Sequence, residues 1–376
     1  MAQAGETVLI TGGAGFLGQH ILRLVLEKCT GVKEIRTFDI RQPKSPWLQQ
    51  CSPGVLLRHI RGDVTKLKEI SRACRGVDVV FHAAAIIDIS LKPDASKLTN
   101  INVIGTQNVV DACMENNVPI LIHTSSLAVV VGNAPIVNGD ETVKVKENLS
   151  AYAKSKYLSE LIALEGNNKV LKNGGKFKTI VIRPTSMYGE EDGHTVIHGL
   201  IIARMFGVFL PKIGFGNPKH QETYVGNTAW MHIKAWQKLK KLRSTRNNVD
   251  EKISGRVYMA TDDTPVQNFF DFIEPFIKAR GWTTAFFTIP YWLAFLFIWM
   301  MEMFCYIVQP FKNINIRLST HALVFFLIEQ SFNCNLAKRN LDYQPLYGFQ
   351  DSLQRSIKYY KDVDLDEYYD ELSLFM

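Results

Sequence analysis

Short apolar runs rich in β-branched residues alternate with stretches of helical spacing through the first half of the chain. Runs of this kind are typical of buried strands, and apolar positions recurring every three or four residues indicate amphipathic helices. Such alternation predicts an α/β fold with a doubly wound parallel sheet, in which ligands bind at the carboxyl ends of the strands. The predicted strands are 7–10, 34–38, 55–60, 77–81 and 119–123, and the clearest helices are 19–27 and 102–115.

A long apolar stretch interrupts this pattern in the last third of the chain. Between Arg280 and Lys312 the only charged residue is Glu302, and residues 290–309 would span ~30 Å as a helix, about the hydrocarbon thickness of a bilayer. Tyr291, Trp292 and Tyr306 stand near its ends, where aromatic residues suit membrane interfaces. Because an acid inside a membrane is costly unless paired, four interpretations stay open: a transmembrane helix, a helix in one leaflet, a hydrophobic hairpin that feeds the substrate site, or a buried core or dimer helix.

A glycine-rich turn joins the first predicted strand to the first predicted helix. In this context Gly12 permits the tight turn, Gly15 lets the backbone approach a pyrophosphate, and Gly18 lets the helix pack closely on the sheet. The helix N-terminus adds free N–H groups for the phosphates. Asp39 follows about 20 residues on, where an acid accepts the ribose 2′-hydroxyl of NAD. NAD is therefore favoured over NADP, although Arg41 could accommodate a 2′-phosphate. Further cofactor contacts are predicted from Gly13, Ala14, Phe16, Leu17, Asp63, Val64, Ala83 and Ala84.

Tyr152 and Lys156 lie four residues apart in a stretch of helical spacing. On a helix they share a face about 6 Å apart, so the ammonium should lower the pKa of the phenol. Such a tyrosine can take a proton from an alcohol while hydride leaves the adjacent carbon. Ser125 and Ser126 follow the fifth strand and reach the same crevice. We predict all four as catalytic residues, with Tyr152 and Lys156 also contacting the cofactor; a solvated helix face is the alternative for the tyrosine–lysine pair alone.

Composition limits the remaining classes of function. The chain has 376 residues, of which 47% are hydrophobic, so it can bury a large core and carry a second lobe. No signal peptide is predicted, because the first strand begins by Thr7. The six cysteines contain no Cys-x-x-Cys pair and are interpreted as reduced thiols in a cytosol-facing domain. The net charge of +7 comes with no nucleic-acid-binding motif beyond the short basic run 238–243. His194 and His198 lack a partner acid at metal-binding spacing, so no metal site is predicted.

In combination these residues resemble the extended short-chain dehydrogenase/reductase superfamily. Within it, the segments 16–19, 102–107, 224–230, 262–265 and 343–347 resemble the 3β-hydroxysteroid dehydrogenase/Δ5-4 isomerase family. The resemblance implies that Tyr152 is the acid/base, that Lys156 binds the nicotinamide ribose and lowers the tyrosine pKa, and that one serine holds the substrate oxygen; Ser126 aligns better than Ser125. Ala128 departs from the family pattern, because vertebrate steroidogenic members carry an acid there.

The resemblance implies NAD-dependent oxidation of the 3β-hydroxyl of a Δ5 steroid or sterol, coupled to Δ5-to-Δ4 isomerisation, in steroid hormone or bile acid biosynthesis. It points to Asp262 and Asp263 as isomerisation acids, although both lie where a strand meets a helix and could simply cap that connection. It also implies a steroid substrate, contact with membrane lipid, and location in the endoplasmic reticulum membrane, with the mitochondrial membrane as a second candidate. Members of this family commonly dimerise, which leaves a homodimer open.

Two other functions stay open at this point. One is a sterol 4-carboxylate decarboxylating dehydrogenase, and the other is a non-catalytic, membrane-bound NAD-sensing protein. The predicted organisation is an NAD-binding Rossmann-type domain with segments of a smaller substrate lobe at 1–280 (mainly 185–280), a hydrophobic membrane-associated segment at 281–311, and the rest of the substrate lobe with a tail at 312–376.

Overall fold

The computed structural model describes residues 5–43, 54–132, 134–214, 218–245, 252–308, 319–320, 323 and 327–369. Strands among them are β1 (Glu6–Thr11), β2 (Val32–Asp39), β3 (Leu56–Arg61), β4 (Val79–His82), β5 (Ile120–Thr124), β6 (Ile136–Gly139), β7 (Lys178–Pro184), β8 (Ser186–Tyr188), β9 (Phe209–Ile213), β10 (Glu222–Tyr224), β11 (Arg256–Ala260), β12 (Thr283–Ile289) and β13 (Gln330–Phe332).

Helices lie between and after these strands. They are α1 (Phe16–Lys28), α2 (Leu67–Ala73), α3 (Ala95–Leu98), a π-helix (Thr99–Ile104) that leads into α4 (Gly105–Glu115), a 3₁₀ turn (Leu127–Val129), α5 (Ala151–Gly166), α6 (Val196–Met205), α7 (Val225–Thr245), α8 (Phe269–Ala279), α9 (Tyr291–Val308), α10 (Asn335–Leu341), α11 (Phe349–Lys361) and α12 (Asp366–Tyr369).

One seven-stranded sheet organises the chain, with the strand order β11-β7-β5-β4-β1-β2-β3. Each neighbouring pair is parallel, so the prediction of a doubly wound parallel sheet is confirmed. Parallel strands present all their carboxyl ends at one edge. The turns that follow β1, β4 and β5 therefore meet there.

Alternate residues of β1 supply the two layers on either side of the sheet. Val8 and Ile10 face the core that includes Trp236 of α7, whereas Leu9 faces the core that includes Val109 of α4. Because helices cover both faces, the central strands β4 and β5 are buried along their whole length and begin with continuous apolar runs, whereas β3 at the edge of the sheet is partly exposed. This burial explains the continuous apolar runs in the sequence.

Three two-stranded parallel sheets build the rest of the fold: β8 with β10, β9 with β12, and β6 with β13. The β8–β10 pair continues from β7 and carries the chain from the main sheet into the smaller lobe. In the β9–β12 pair the register shifts between Thr284 and Thr288, and Phe286 in this irregular stretch is 97% exposed.

Helix α9 coincides with the apolar stretch found in the sequence. It is the one helix among the described residues that is long and apolar enough to cross a membrane. One stripe of it, formed by Ala294, Ile298, Glu302 and Cys305, is buried against the protein. Residues 309–311 of the predicted membrane segment, 312–318 of the predicted substrate lobe and those beyond 369 in the predicted tail lie outside the described residues.

Candidate active site

The glycine turn after β1 has the geometry that a dinucleotide requires. Gly12 has φ +70°, and a Cβ there would lie 2.7 Å from the backbone nitrogen of Ala84, while a Cβ on Gly18 would overlap the carbonyl oxygen of Gly12. Gly15 is different, because its Cβ position meets only the Gly12 carbonyl, at 3.2 Å, and is otherwise open. The turn therefore packs tightly inside the protein and leaves a backbone cradle on its open side, which fits a pyrophosphate.

Two predicted cofactor acids follow neighbouring strand ends. Asp39 ends β2 and accepts hydrogen bonds from the backbone N–H of Ala14 and of Arg41, each at 3.0 Å. These bonds fix the carboxylate beside the glycine turn. Asp63 follows β3, where its Oδ1 accepts the N–H of Thr65 at 2.9 Å. Val64 is buried beyond it.

Tyr152 and Lys156 lie on the first turns of α5, which Ser150 caps by accepting the N–H of Ala153 at 3.2 Å. Ser126 and Tyr152 line the same cavity, with the serine close enough to offset part of the rise that burial causes in the pKa of the phenol. The Lys156 ammonium donates to the carbonyl of Thr124 at 2.7 Å. Helix α5 and the end of β5 thus bring Tyr152, Ser126 and Lys156 together, as the sequence predicts.

The two adjacent serines have different surroundings. Ser125 is buried and donates to Glu160 Oε2 at 2.8 Å. Glu160 in turn receives two hydrogen bonds from Arg183, at 2.9 and 2.6 Å. Ser126, by contrast, stays partly exposed, accepts the N–H of Ala128 at 3.2 Å and contacts Tyr152. The structure therefore assigns the position beside the tyrosine to Ser126, and Ser125 to a buried ion-pair network.

A single cavity of about 720 Å³ joins the glycine turn to this cluster. Of the predicted site residues it is lined by Gly12, Gly15, Phe16, Leu17, Gly18, Ala83, Ser125, Ser126, Tyr152 and Lys156. Gly13, Ala14, Asp39, Asp63, Val64 and Ala84 are not part of its lining. Beyond the catalytic cluster the wall is formed by Leu127, Ala128, Val131, Ile87, Ile89 and Thr185, which give it an apolar part.

Asp262 and Asp263 lie outside the cavity lining. Asp262 accepts hydrogen bonds from the Tyr224 N–H at 2.9 Å, from the Asn227 amide at 2.8 Å and from the Thr264 N–H at 3.0 Å. Asp263 is exposed. The structure thus gives Asp262 the role of tying β10, α7 and the end of β11 together, which corresponds to the capping alternative.

The electrostatics of the catalytic pair differ from the expectation. Burial raises the pKa of Tyr152, and the neighbouring Ser126 hydroxyl offsets this rise only in part. The predicted lowering of the Tyr152 pKa by Lys156 is wrong here, because desolvation dominates and the ammonium is directed at the Thr124 carbonyl. Burial also lowers the pKa of Lys156 to about 8, against the opposing charge of Glu160.

Several supporting residues had no role in the sequence interpretation. The Thr124 hydroxyl hydrogen bonds to His232 Nε2 at 2.8 Å, and His232 Nδ1 bonds to the Thr228 carbonyl at 2.8 Å. Because Nδ1 must carry the proton toward a carbonyl, Nε2 accepts from Thr124. Glu160 could have been found from spacing, since it lies four residues after Lys156 on one helix. The link between β5 and His232 spans 108 residues and left no local signal.

Comparisons with known proteins find relatives over nearly the whole chain. The family model described as 3-beta hydroxysteroid dehydrogenase/isomerase family matches residues 9–289. The 3 beta-hydroxysteroid dehydrogenase type 7 of Mus musculus is 33% identical over 359 residues, which cover 93% of this chain and 94% of the relative. The Homo sapiens protein of the same name is 32% identical over 365 residues, or 95% and 96% of the two chains. Among solved structures, the UDP-glucuronic acid 4-epimerase of Bacillus cereus in complex with NAD has a TM-score of 0.66 at 19% identity, covering 94% of this chain and 98% of its own.

Proposed function

Because the chain belongs to the 3-beta hydroxysteroid dehydrogenase/isomerase family, we propose that it is an NAD-dependent dehydrogenase that oxidises the 3β-hydroxyl of a steroid to the 3-ketone. The observation that carries the proposal is the single cavity whose lining brings Tyr152, Ser126 and Lys156 together with the glycine turn. The open backbone at Gly15 and the bound NAD of the epimerase with the same fold support the choice of cofactor.

The residues divide the reaction among them. When bound, NAD supplies the hydride acceptor. The Ser126 hydroxyl hydrogen bonds the steroid oxygen, and Tyr152 takes the hydroxyl proton as the hydride leaves C3, so that an O–H and a C–H bond break and a C=O bond forms. Lys156, anchored on Thr124, holds the ribose. Tyr152 accepts this proton as the phenolate, and because burial raises its pKa, the base form and therefore oxidation are favoured as the pH rises and solvent hydroxide takes the phenol proton.

We propose that oxidation is followed by migration of the steroid double bond from Δ5 to Δ4. It requires a carboxyl that accepts a proton from C4 and returns it at C6, which suits an acid of raised pKa. Asp262 and Asp263 are poorly placed for this step, because neither lines the cavity. Asp192 does line it, and burial raises the pKa of Asp192, although its oxygens accept the N–H groups that begin α6. The pathway, whether steroid hormone or bile acid biosynthesis, depends on the skeleton accepted.

One observation favours a second substrate, a sterol 4-carboxylate that is oxidised with loss of CO₂. Lys146 lines the cavity, and its stem lies over Gly132, where a Cβ would come within 3.1 Å of Lys146 Cε. A cation in the cavity wall would complement a carboxylate, whereas the neighbouring Glu147 would oppose it. A measurement of released CO₂ distinguishes the two substrates, because only the sterol carboxylate would release it.

We place the protein at a membrane, through α9, with the catalytic domain facing the cytosol. The exposed apolar face of α9 supports attachment, and the sterol class of substrate supports the endoplasmic reticulum, or alternatively a mitochondrial membrane. A homodimer is the assembly expected from the family resemblance. Cross-linking of the detergent-solubilised protein and fractionation of membranes would test these two points.

Removal of the Ser126 hydroxyl should mainly affect catalysis. We expect Ser126→Ala to lower kcat by about 10²-fold, because the steroid oxygen loses a donor. Ser125→Ala should instead lower the free energy of unfolding by about 1–3 kcal/mol, because it leaves Glu160 short of a buried partner. Steady-state kinetics and thermal unfolding of both variants check this. The reverse pattern would assign catalysis to Ser125.

Titration of Lys156 should affect the affinity for NAD. The folded-state pKa of Lys156 is about 8, below its ordinary value of 10.5, so the ammonium is lost as the pH rises through about 8. We expect NAD affinity to fall about tenfold above that pH, because a charged donor to the ribose becomes neutral. Calorimetric titration at several pH values measures this. Lys156→Met should bind weakly without the pH step, and the exposed Lys154→Met should behave like the wild type.

The proposed function is tested by NADH fluorescence of the detergent-solubilised protein. NAD and 3β-hydroxy-Δ5 steroids of C19, C21 and C27 skeletons are added, and the absorbance of a conjugated enone is followed in parallel. NADH together with enone supports dehydrogenation coupled to isomerisation. NADH without enone supports the dehydrogenase alone. NAD binding without turnover of any skeleton or of a sterol 4-carboxylate would reject the enzyme and favour a NAD-sensing protein.

A further inference from the structure

We propose that the catalytic cavity opens directly onto the lipid bilayer, with the segment from Ile87 to Lys92, here called the entrance segment, as a second membrane contact beside α9. This inference rests on the proposed function, since it assumes a lipid-soluble substrate. The substrate would enter the cavity from the bilayer past the entrance segment. A lipid leaflet would cover the exposed apolar face of α9.

Helix α9 packs against the protein through one side. Its buried residues Ala294, Ile298, Glu302 and Cys305 recur at helical spacing and form one stripe. Ala294 and Ile298 pack in one apolar cluster with Leu323, together with Ile213 of β9, Ile289 of β12 and Leu327. The helix therefore lies along the protein over much of its length instead of projecting away from it, which favours a helix in one leaflet over a transmembrane helix.

The acid in this helix fits the same arrangement. The Glu302 carboxylate accepts the backbone N–H of Thr320 at 2.7 Å and hydrogen bonds the Thr320 hydroxyl at 3.1 Å. It therefore points into the protein, where these bonds compensate its burial. The only charged residue of α9 is thus kept off the exposed face. No charge on this helix opposes contact between that face and lipid.

The exposed face of α9 is large and apolar. Trp292, Phe297, Phe304 and Ile307 are between 55% and 67% exposed, and other large apolar residues of the helix add to the surface. Soluble monomers rarely leave an apolar patch of this kind exposed. A helix of 18 residues is ~27 Å long. All of its exposed residues are apolar or aromatic, and an apolar face of that length matches hydrocarbon better than a protein interface, whose rim is polar.

The entrance segment lies next to this face. Ile87 and Ile89 line the cavity and are nevertheless 45% and 43% exposed, so they form part of its mouth. The ammonium of Lys92 lies 4.7 Å from the ring centroid of Tyr306 near the end of α9. The mouth of the cavity and the exposed face of α9 therefore adjoin at this point.

Lys92 also indicates how deeply the entrance segment would enter the lipid leaflet. An amphipathic surface residue such as Lys92, stacked on Tyr306, places its charge where lipid headgroups lie while its stem stays apolar. Ile87 and Ile89 would then contact acyl chains on one side and the cavity on the other. A steroid dissolved in the leaflet would enter past these two side chains without crossing water.

The contact is tested on the full chain by fluorescence. One new cysteine replaces Ile89, Phe297 or Val170 in a background with Cys29→Ser and Cys51→Ser, in which the four native cysteines that remain are buried. Each new cysteine carries an environment-sensitive NBD group, and the background protein treated with the same reagent gives the signal to subtract. Vesicles of phosphatidylcholine and phosphatidylserine with doxyl-labelled acyl chains are added. We expect a blue shift and quenching at positions 89 and 297 and neither at 170, an exposed apolar residue between α5 and β7. Quenching at 297 alone would overturn the entrance segment as a contact, and quenching at neither would also remove α9 as the anchor.

Substrate entry is tested by how the steroid is delivered. Apparent KM is measured for steroid delivered in vesicles and for steroid delivered in cyclodextrin, and the first value is divided by the second. We expect the Ile87→Asp/Ile89→Asp variant to raise this ratio by about tenfold, because two apolar contacts with lipid are lost. Val170→Asp is the matched control. An unchanged ratio would overturn the inference. Turnover of cyclodextrin-borne steroid by the wild type keeps this result separate from the proposed function, which fails only if neither delivery gives NADH.

Discussion

Tyr152→Phe is expected to lower kcat for steroid oxidation by about 10³-fold, within the range that a positioned acid/base contributes. The phenyl ring fills the same half-buried space, but no oxygen remains to accept the proton or to meet Ser126. Stopped-flow detection of NADH measures the loss. NAD affinity, measured by calorimetry, should change by less than about threefold, because the glycine turn that binds the pyrophosphate is untouched.

Tyr157→Phe on the same helix is the matched control and should retain turnover, since Tyr157 is not part of the cavity lining. Equal activity of Tyr152→Phe and the wild type would reject Tyr152 as the acid/base. A loss of NAD binding in parallel with turnover would instead show that the phenol is required for cofactor binding. The two measurements together therefore separate chemistry from binding.

Arg183→Ala should lower the free energy of unfolding by about 3–5 kcal/mol, the usual loss when one member of a buried ion pair is removed. The side chains of Arg183 and Glu160 are only 5% and 2% exposed, with Nη2 of the arginine 2.6 Å from Oε1 of the glutamate. Without the guanidinium, a carboxylate under the catalytic site would be buried with Ser125 as its remaining donor. Thermal and urea unfolding in detergent measure the effect.

A double variant shows whether this loss of stability comes from the missing ion pair or from a carboxylate that stays buried without its partner. Glu160→Met/Arg183→Met should be less destabilised than Arg183→Ala alone, because no unpaired charge stays buried. Lys278→Ala removes a partner from an exposed pair with Glu274 and should change stability by less than about 1 kcal/mol. If Arg183→Ala were as mild as Lys278→Ala, the buried pair would contribute little to the site.

The sheet could be predicted from sequence because its signals are local. A continuous apolar strand, a glycine turn and an amphipathic helix stand next to one another around Gly12 and Gly18, and burial on both faces leaves no other use for such strands. The start of helix α4 is harder to predict from the sequence. Residues 102–104 belong to a π-helix, in which Asn102 bonds Ile86 and Ser155, and such long-range bonds leave no local periodicity.

The site was predictable in its members but not in their division of labour. The family resemblance favours Ser126, but local spacing does not separate it from Ser125, because the physical difference arises from Glu160, 35 residues after Ser125. The pKa of Tyr152 depends on burial, which helical spacing does not report. Asp262 has a partner in Asn227, 35 residues away, and no contact with the cavity. A strand-end acid that braces the fold and one that handles protons have the same local pattern.

The pairing of β6 with β13 has a consequence for how the protein is made. The N–H of Asn138 bonds the Ser331 hydroxyl across 193 residues, and this pair adjoins the loop that walls the cavity. At synthesis rates of 5–20 residues per second, the ribosome releases β13 roughly 10 to 40 s after β6. Helix α9 emerges in that interval. Under the proposed membrane attachment through α9, the nascent chain therefore reaches the membrane before β6 has its partner strand.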